Sequence, residues 1–246
     1  MKIDVCMVAG RRPDLIQTTL DSFNANLFRN FTVERFIVNI DPVFGSDDDQ
    51  ARCREIIHSF FPTAQISEPA EPGFCAAVKR NWAASEAEVI FHMEDDWLLR
   101  RPITPADIAG FQDDPRITQI CFNHANKRWP VSEQGPFVSG RKRKKFLGLP
   151  TPFRTKAPQF TTSPSFLRGS FARACASLMD QNFDPEKQFF KGVNKPLEEY
   201  VSPYLNMVLG EGPDYMILDI GREWRTSRGI KKSLVNKQSV WVTTPT

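Results

Sequence analysis

The chain has 246 residues, 41% of them hydrophobic and 25% charged, with 32 basic against 29 acidic side chains and a net charge of +3. That length suits one large α/β domain, the composition excludes global disorder, and the charge is too mild to imply nucleic-acid binding by itself. No apolar run nears the roughly 20 residues that cross a bilayer. The start, MKIDVCMVAGRR, lacks a signal-peptide pattern, and the scattered cysteines Cys6, Cys53, Cys75, Cys121 and Cys175 form no Cys-x-x-Cys pair, so a cytoplasmic protein with reduced thiols, at most peripheral at a membrane, is expected.

In chain order, 2–9 alternate as a strand, and Pro13 opens a helix whose buried face is Ile16, Leu20, Phe23 and Leu27. A second strand follows over 33–40. Ser46 is placed as the N-cap of a helix with acids at Asp47, Asp48 and Asp49 and an apolar end at Ile56, Ile57, Phe60 and Phe61. A short strand over 64–67, a turn over 68–73 and an Ala-rich helix over 76–85 lead to a strand beginning at Val89. Such short alternation predicts parallel βαβ units. Beyond Pro102 the pattern loosens. A short helix is expected over 105–111 and a strand over 117–122, then an irregular stretch over 124–158. Further strands are expected over 160–167 and 215–220, with helices over 170–179 and 197–209. A basic, then β-like, tail over 221–246 closes the chain.

The sequence VIFHMEDD, Val89 to Asp96, ends a buried strand in three carboxylates. Acids crowded there repel one another until a divalent cation or a polyhydroxyl ligand sits among them. In open α/β sheets ligands collect at that edge. His92 lies inside the strand and suits a core histidine. No Cys/His cluster has zinc spacing, and Gly10 lacks the Gly-x-Gly-x-x-Gly dinucleotide fingerprint.

The run GFCAAVKRNWAASEAEVIFHMEDDW resembles glycosyltransferase family 2 and related GT-A enzymes: a glycine, a helix bearing Lys79, Arg80 and Asn81, then an apolar strand closing in an Asp-x-Asp-like motif, here Glu94-Asp95-Asp96. Val8-Ala9-Gly10-Arg11-Arg12-Pro13 matches the segment that contacts the nucleotide base, with Ala9 and Arg11 as its candidates, and Asp41 matches an acid that holds base or ribose. Downstream, TSPSFLRGSF, Asn182-Phe183-Asp184 and Glu198-Glu199-Tyr200 resemble the acceptor half, whose acidic pair supplies the general base.

The resemblance implies a single GT-A-type α/β domain with a Rossmann-like, mostly parallel sheet. Residues 1–101 would bind the nucleotide sugar, 102–220 the acceptor, and 221–246 form a tail. It implies a metal-dependent transferase moving a sugar from a UDP-sugar to an acceptor hydroxyl with inversion. Asp96 would ligate Mn²⁺ or Mg²⁺ and Glu94 would sit near the ribose, while Asp95 would point toward the sheet edge or act through water. Lys79 or Arg80 would steady the diphosphate, Asn81 would orient backbone, and Glu199, with Glu198 beside it, would be the base. Arg225 and Arg228 would clamp the diphosphate. The late histidine ligand of some relatives is absent, because none follows His124. Trp97, Trp129 and Trp224 are candidate stacking platforms. The acceptor stays open among a glycan, a lipid-linked sugar and modified DNA.

Two other classes compete. A sugar-phosphate nucleotidyltransferase carries an Arg-containing Gly-rich loop after its first strand, to which only Gly10-Arg11-Arg12-Pro13 answers. A nucleic-acid-binding protein would use the five consecutive basic residues from Arg141 to Lys145 as a phosphate-gripping loop.

Overall fold

The computed structural model describes residues 1–146, 149–212, 215–235 and 238–243. In chain order its elements are β1 (Lys2–Ala9), α1 (Pro13–Asn26), β2 (Thr32–Ile40), α2 (Asp47–Phe60), β3 (Gln65–Ser67), α3 (Phe74–Ala84), β4 (Val89–Glu94), β5 (Trp97–Leu99), α4 (Gly110–Asp113), β6 (Ile117–Phe122) and α5 (Val131–Gln134). The second half continues with β7 (Ser139–Phe146), β8 (Leu149–Pro158), β9 (Ser165–Arg168), α6 (Gly169–Leu178), α7 (Pro185–Gln188), α8 (Lys195–Val201), β10 (Leu205–Leu209), β11 (Ile217–Asp219), α9 (Gly221–Ser227), β12 (Ile230–Val235) and β13 (Gln238–Thr243).

A seven-stranded sheet runs β10-β6-β9-β4-β1-β2-β3. All its neighbours pair parallel except β9, which runs antiparallel between β4 and β6. Alternation along β1 sets the layers. Ile3, Val5, Met7 and Ala9 pack with α1 residues Ile16, Leu20 and Phe23, whereas Cys6 and Val8 pack with Val78 and Trp82 of α3 and Phe171 of α6. The sheet is thus buried on both faces, which is why β1 and β4 are nearly continuous apolar runs. Ser46 caps α2 as expected: its hydroxyl accepts from the Asp49 amide, and the Asp49 carboxylate accepts from the Ser46 amide.

Chain order along the sheet reverses at β1. From there the chain steps outward to β2 and β3, and then returns to place β4 on the other side of β1. A crevice opens above the carboxyl ends of strands at such a switch point. The register Val8↔Glu94 and Ala9↔Ile40 brings Ala9, Asp41 and Glu94 to that edge together.

The second half departs from several expectations. The helix expected over 197–209 stops at Val201, because Pro203 has no amide hydrogen to continue it, and 205–209 instead form edge strand β10 beside β6. The stretch over 124–158 is not irregular throughout: β7 and β8 pair as an antiparallel hairpin, so Arg141 and its basic neighbours sit on a strand instead of a loop. The side chains of 142–145 lie outside the described residues. The strand expected over 160–167 shortens to β9. The one expected over 215–220 shortens to β11, which joins no main sheet and pairs with β5. The tail begins as helix α9 before its β-hairpin, and its last residues, 244–246, lie outside the described residues.

Candidate active site

At the switch point lies a cavity of about 530 Å³, lined by Val8, Ala9 and Gly10 at the end of β1, Asp41 and Phe44 after β2, Gly73 at the start of α3, Glu94 to Trp97 from the end of β4 onward, and Asp219 and Arg225 from the C-terminal segment. Arg12 also lines it. Five acids (Asp41, Glu94, Asp95, Asp96, Asp219) therefore face two guanidiniums (Arg12, Arg225).

The acids after β4 have three different surroundings. Asp95 turns inward. Its Oδ2 accepts from Arg12 Nε at 3.1 Å and from the Gly10 amide at 3.0 Å, while its Oδ1 accepts from Arg12 Nη2. Burial works against the Arg12 charge, yet Asp95 and Asp96 outweigh it and hold the guanidinium protonated. Asp95 is itself pushed up, because burial and Asp96 together exceed the pull of Arg12. Asp96 accepts from Arg225 Nη1 at 2.8 Å and from Arg12 Nη2 at 3.3 Å, both on Oδ2. Glu94 accepts from Trp97 Nε1 at 2.8 Å, and burial followed by the Asp96 charge pushes its carboxyl up to about 8.

On the β2 side, Asp41 accepts from the Asn39 side-chain amide at 2.7 Å and from the Gly73 amide at 3.1 Å, tying the end of β2 to the start of α3. Burial raises its pKa against those bonds. Phe44 takes φ 73°, a left-handed backbone that a bulky residue rarely adopts. That conformation sets its ring 4.9 Å from the Arg12 guanidinium carbon and edge-on to Trp224.

Of the residues singled out from sequence, Ala9, Asp41, Glu94, Asp95, Asp96 and Arg225 converge on the cavity. Others serve its frame. Arg80 donates to Asn39 Oδ1, behind Asp41. The buried Asn81 side chain donates to the Met7 carbonyl at 2.7 Å, fixing α3 to β1. Lys79 donates to the Met179 carbonyl at 2.7 Å at the end of α6, away from the cavity. Arg11 pairs with Asp47 at the start of α2. Arg228 covers Trp224 at 4.1 Å and approaches Asp14. His92 is a core residue accepting from Trp82 Nε1 at 3.1 Å. Arg12, read only within the Gly10-Arg11-Arg12-Pro13 segment, and Asp219 were not among the site candidates; their contacts with Asp95, Asp96 and Arg225 are long-range or join separate elements.

The acceptor-side acids separate too. Glu198 Oε1 accepts from the Gly192 amide, and Glu199 is exposed on α8; neither lines the cavity. Glu186 on α7 does not line it either, but is linked to its wall. Its Oε1 accepts from Thr161 Oγ1, from the Thr162 amide at 3.0 Å and from Lys127 Nζ at 3.3 Å, and its side chain is 37% exposed. Among the described residues no donor is bonded to Oε2. Burial raises its pKa, but Lys127, Thr161 and Thr162 outweigh that and hold the carboxylate ionised. The segment carrying Lys127 joins this acid to the cavity wall: His124 packs edge-on against Trp97 at 4.9 Å, and Asn126 donates to Asp219 at 3.0 Å. The Glu186 charge also reaches Glu94 and raises its pKa.

Among the described residues no three His, Cys, Asp or Glu side chains converge as a ready-made metal cage. The acid excess of the cavity nevertheless opposes a diphosphate unless positive charge enters with it. A cation held by Asp96, one further carboxylate, water and ligand phosphates fits these residues, and sparse protein ligation is the habit of Mg²⁺ at phosphate sites.

No protein-family model matches the sequence, and no curated protein does. Solved structures match the fold. TarS residues 1–349 of S. aureus align at TM-score 0.51 and 16% identity over 87% of this chain and 59% of that one. The mannosyltransferase PcManGT of Pyrobaculum calidifontis, in complex with GDP-Man and Mn²⁺, aligns at TM-score 0.55 and 13% identity over 92% and 60%. HddC of Yersinia pseudotuberculosis aligns at TM-score 0.51 and 10% identity over 91% and 97%. The chain thus spans about three fifths of the first two proteins. Among the described residues no helix is long and apolar enough to cross a membrane. At these identities the likeness shows the fold: a GT-A-like α/β domain with a mostly parallel, mixed sheet flanked by helices.

Proposed function

We propose that this protein transfers a sugar from a nucleotide-sugar donor to an acceptor hydroxyl. The observation that carries the reading is the cavity at the β1–β4 switch point, where Asp41, Glu94 and Asp96 meet Arg12 and Arg225 within a GT-A-like fold. Asp41 and the Gly73 amide form the base and ribose end, by analogy with ligands at strand edges of such sheets. Arg225 faces the diphosphate end, where a planar guanidinium pairs with phosphate oxygens. Mn²⁺ or Mg²⁺, when bound at Asp96 with Glu94 or Asp219 beside it, supplies Lewis-acid neutralisation of the departing diphosphate. The mannosyltransferase neighbour holds such a pairing, GDP-Man with Mn²⁺; a UDP-sugar remains the donor suggested by the sequence resemblance.

On the acceptor side the proton acceptor is Glu186. Three donors anchor its Oε1 and leave Oε2 for a substrate hydroxyl. An ionised carboxylate so held takes the proton as the hydroxyl attacks, and attack from the face opposite the leaving group inverts the anomeric carbon. Glu199 and Glu198, the pair suggested by the sequence, are the comparison set for this assignment.

A second reading, sugar-phosphate nucleotidyl transfer, draws on Arg12, which stands in the cavity directly after the Gly10 turn. Pyrophosphate release from a nucleoside triphosphate and a sugar 1-phosphate would favour it. Nucleoside diphosphate release from UDP-glucose or GDP-mannose favours glycosyl transfer. The primary test is thermal shift with UDP, GDP and CDP, with and without Mn²⁺. Metal-dependent stabilisation in wild type that is lost in Asp96→Ala supports the site; no metal-dependent shift with any of the three removes it.

A further inference from the structure

The C-terminal segment sits on Asp96 from two sides. The amides of Ile220 and Gly221 donate to the Asp96 carbonyl at 3.0 and 3.3 Å. Gly221 lies so close that a Cβ there would stand 2.0 Å from Asp96 Oδ2. From that seat α9 carries Arg225 into the cavity wall. Trp224 Nε1 donates to Asp14 at 2.7 Å, its ring meets Phe44 edge-on, and one turn of helix delivers the Arg225 guanidinium onto Asp96 Oδ2, with Asp219 3.8 Å away. The oxygen best placed to hold a cation is therefore covered by a cationic side chain of the same chain.

We infer that Arg225 is a place-holder for the cation: loading of the site is an exchange in which a divalent ion takes Asp96 and the released guanidinium takes the diphosphate. The inference rests on the transferase reading above and concerns the regulation of that site. A guanidinium and a divalent ion repel each other across one carboxylate oxygen, so the two states exclude one another. Neither ligand alone satisfies both partners. A cation without nucleotide leaves Arg225 without its main counter-charge, and a diphosphate without a cation meets an acid-rich wall. Metal and nucleotide are then reciprocally cooperative, each raising the affinity of the other by the same factor. In the unloaded protein the same contact ties α9 to the cavity wall and holds Asp96 Oδ2.

The test measures Mn²⁺ binding directly, from the electron paramagnetic resonance signal of the free ion, in wild type, Arg225→Gln and Trp224→Ala, without and with UDP. Without nucleotide, Arg225→Gln is expected to bind Mn²⁺ about tenfold more tightly than wild type, the equivalent of about 1.4 kcal/mol. Trp224→Ala keeps the guanidinium but removes the anchor of α9, and shifts in the same direction by less; it decides the matter alone if Arg225→Gln does not fold. UDP should then add less Mn²⁺ affinity in Arg225→Gln than in wild type, and UDP should bind the Mn²⁺-saturated variant more weakly. Removing a repelling charge without any exchange would tighten Mn²⁺ equally with and without UDP, and that result overturns the proposal. So does unchanged or weaker Mn²⁺ binding in the variants, or no Mn²⁺ binding in any of the three proteins. Nucleotide binding with unaltered Mn²⁺ affinity in the variants discards the exchange and leaves the transferase reading standing; no nucleotide binding in any of the three proteins removes the transferase reading and the exchange with it.

Discussion

Arg12 and Asp95 form a two-pronged ion pair in the cavity wall, with Nε bonded to Oδ2 at 3.1 Å, Nη2 bonded to Oδ1, and both residues buried at 5% and 1% exposure. The pair joins the turn after β1 to the turn after β4, and so sets the spacing on which the site depends. A buried charge stripped of its partner is costly, by about 3–5 kcal/mol. Arg12→Met should lose stability on that scale in urea unfolding, whereas Arg12→Met with Asp95→Asn together should recover part of it. A loss under about 1 kcal/mol in the single variant, well below that range, would show that the pair does not hold the two turns together.

The acid triplet after β4 was legible because strand and ligand edge share one local signature: an apolar run that ends in carboxylates. The Ser46 N-cap of α2 and the buried face of α1 were legible because their signals too are local in sequence. What stayed hidden depends on distance along the chain. Arg12 reaches Asp95 across 83 residues and Arg225 reaches Asp96 across 129, contacts that only the assembled sheet creates. In the second half, the expected helix over 197–209 overlooked Pro203, beyond which burial alternates as in a strand. The Glu198-Glu199 pair drew attention by its resemblance to an acidic pair, while Glu186, two residues past Asp184, gains its surroundings from Thr161 and Lys127 on separate segments.

Glu186 gives a kinetic prediction. Glu186→Gln keeps an oxygen for the Thr161, Thr162 and Lys127 donors but removes basicity. Turnover of whichever donor the nucleotide screen identifies should fall about 100-fold or more, with nucleotide affinity and melting temperature near wild type. Glu198→Gln and Glu199→Gln should retain most of the rate. Loss of turnover in Glu199→Gln with a near-normal Glu186→Gln would reassign the base to α8.

The buried histidines predict a pH dependence of folding. Burial holds His92 down to about 4, against an ordinary value of 6.5, with Thr162 and Glu186 opposing weakly. His124 is likewise held down to about 4, by burial and then by Lys127. Between those values the unfolded chain binds protons at these histidines that the folded chain refuses, so their contribution to stability falls as pH drops from 6.5 toward 4, opposite in sign to that of Glu94. Each histidine contributes a slope of up to about 1.4 kcal/mol per pH unit. His92→Gln should flatten the urea-derived stability profile between pH 6.5 and 5, above the range where ordinary carboxylates titrate. A profile parallel to wild type there would mean that His92 carries its proton in the fold.

The seat of α9 on Asp96 gives a structural prediction. Gly221 takes its place because any Cβ would stand 2.0 Å from Asp96 Oδ2 and 2.6 Å from Asp96 Cβ, too close for either atom to remain. Asp96 is held by Arg12 from below, so the helix is the part that must give. Gly221→Ala should therefore lift α9 and expose the Arg222, Arg225 and Arg228 bonds to trypsin, several-fold faster than in wild type, while the sheet stays intact by circular dichroism. Cleavage after Arg168, on β9 between β4 and β6 in the main sheet, should stay slow in both proteins and serves as the control for global unfolding. Equal trypsin sensitivity of α9 in wild type and variant would mean that the helix does not rest on Asp96, and the cation-exchange reading of Arg225 would lose its structural basis.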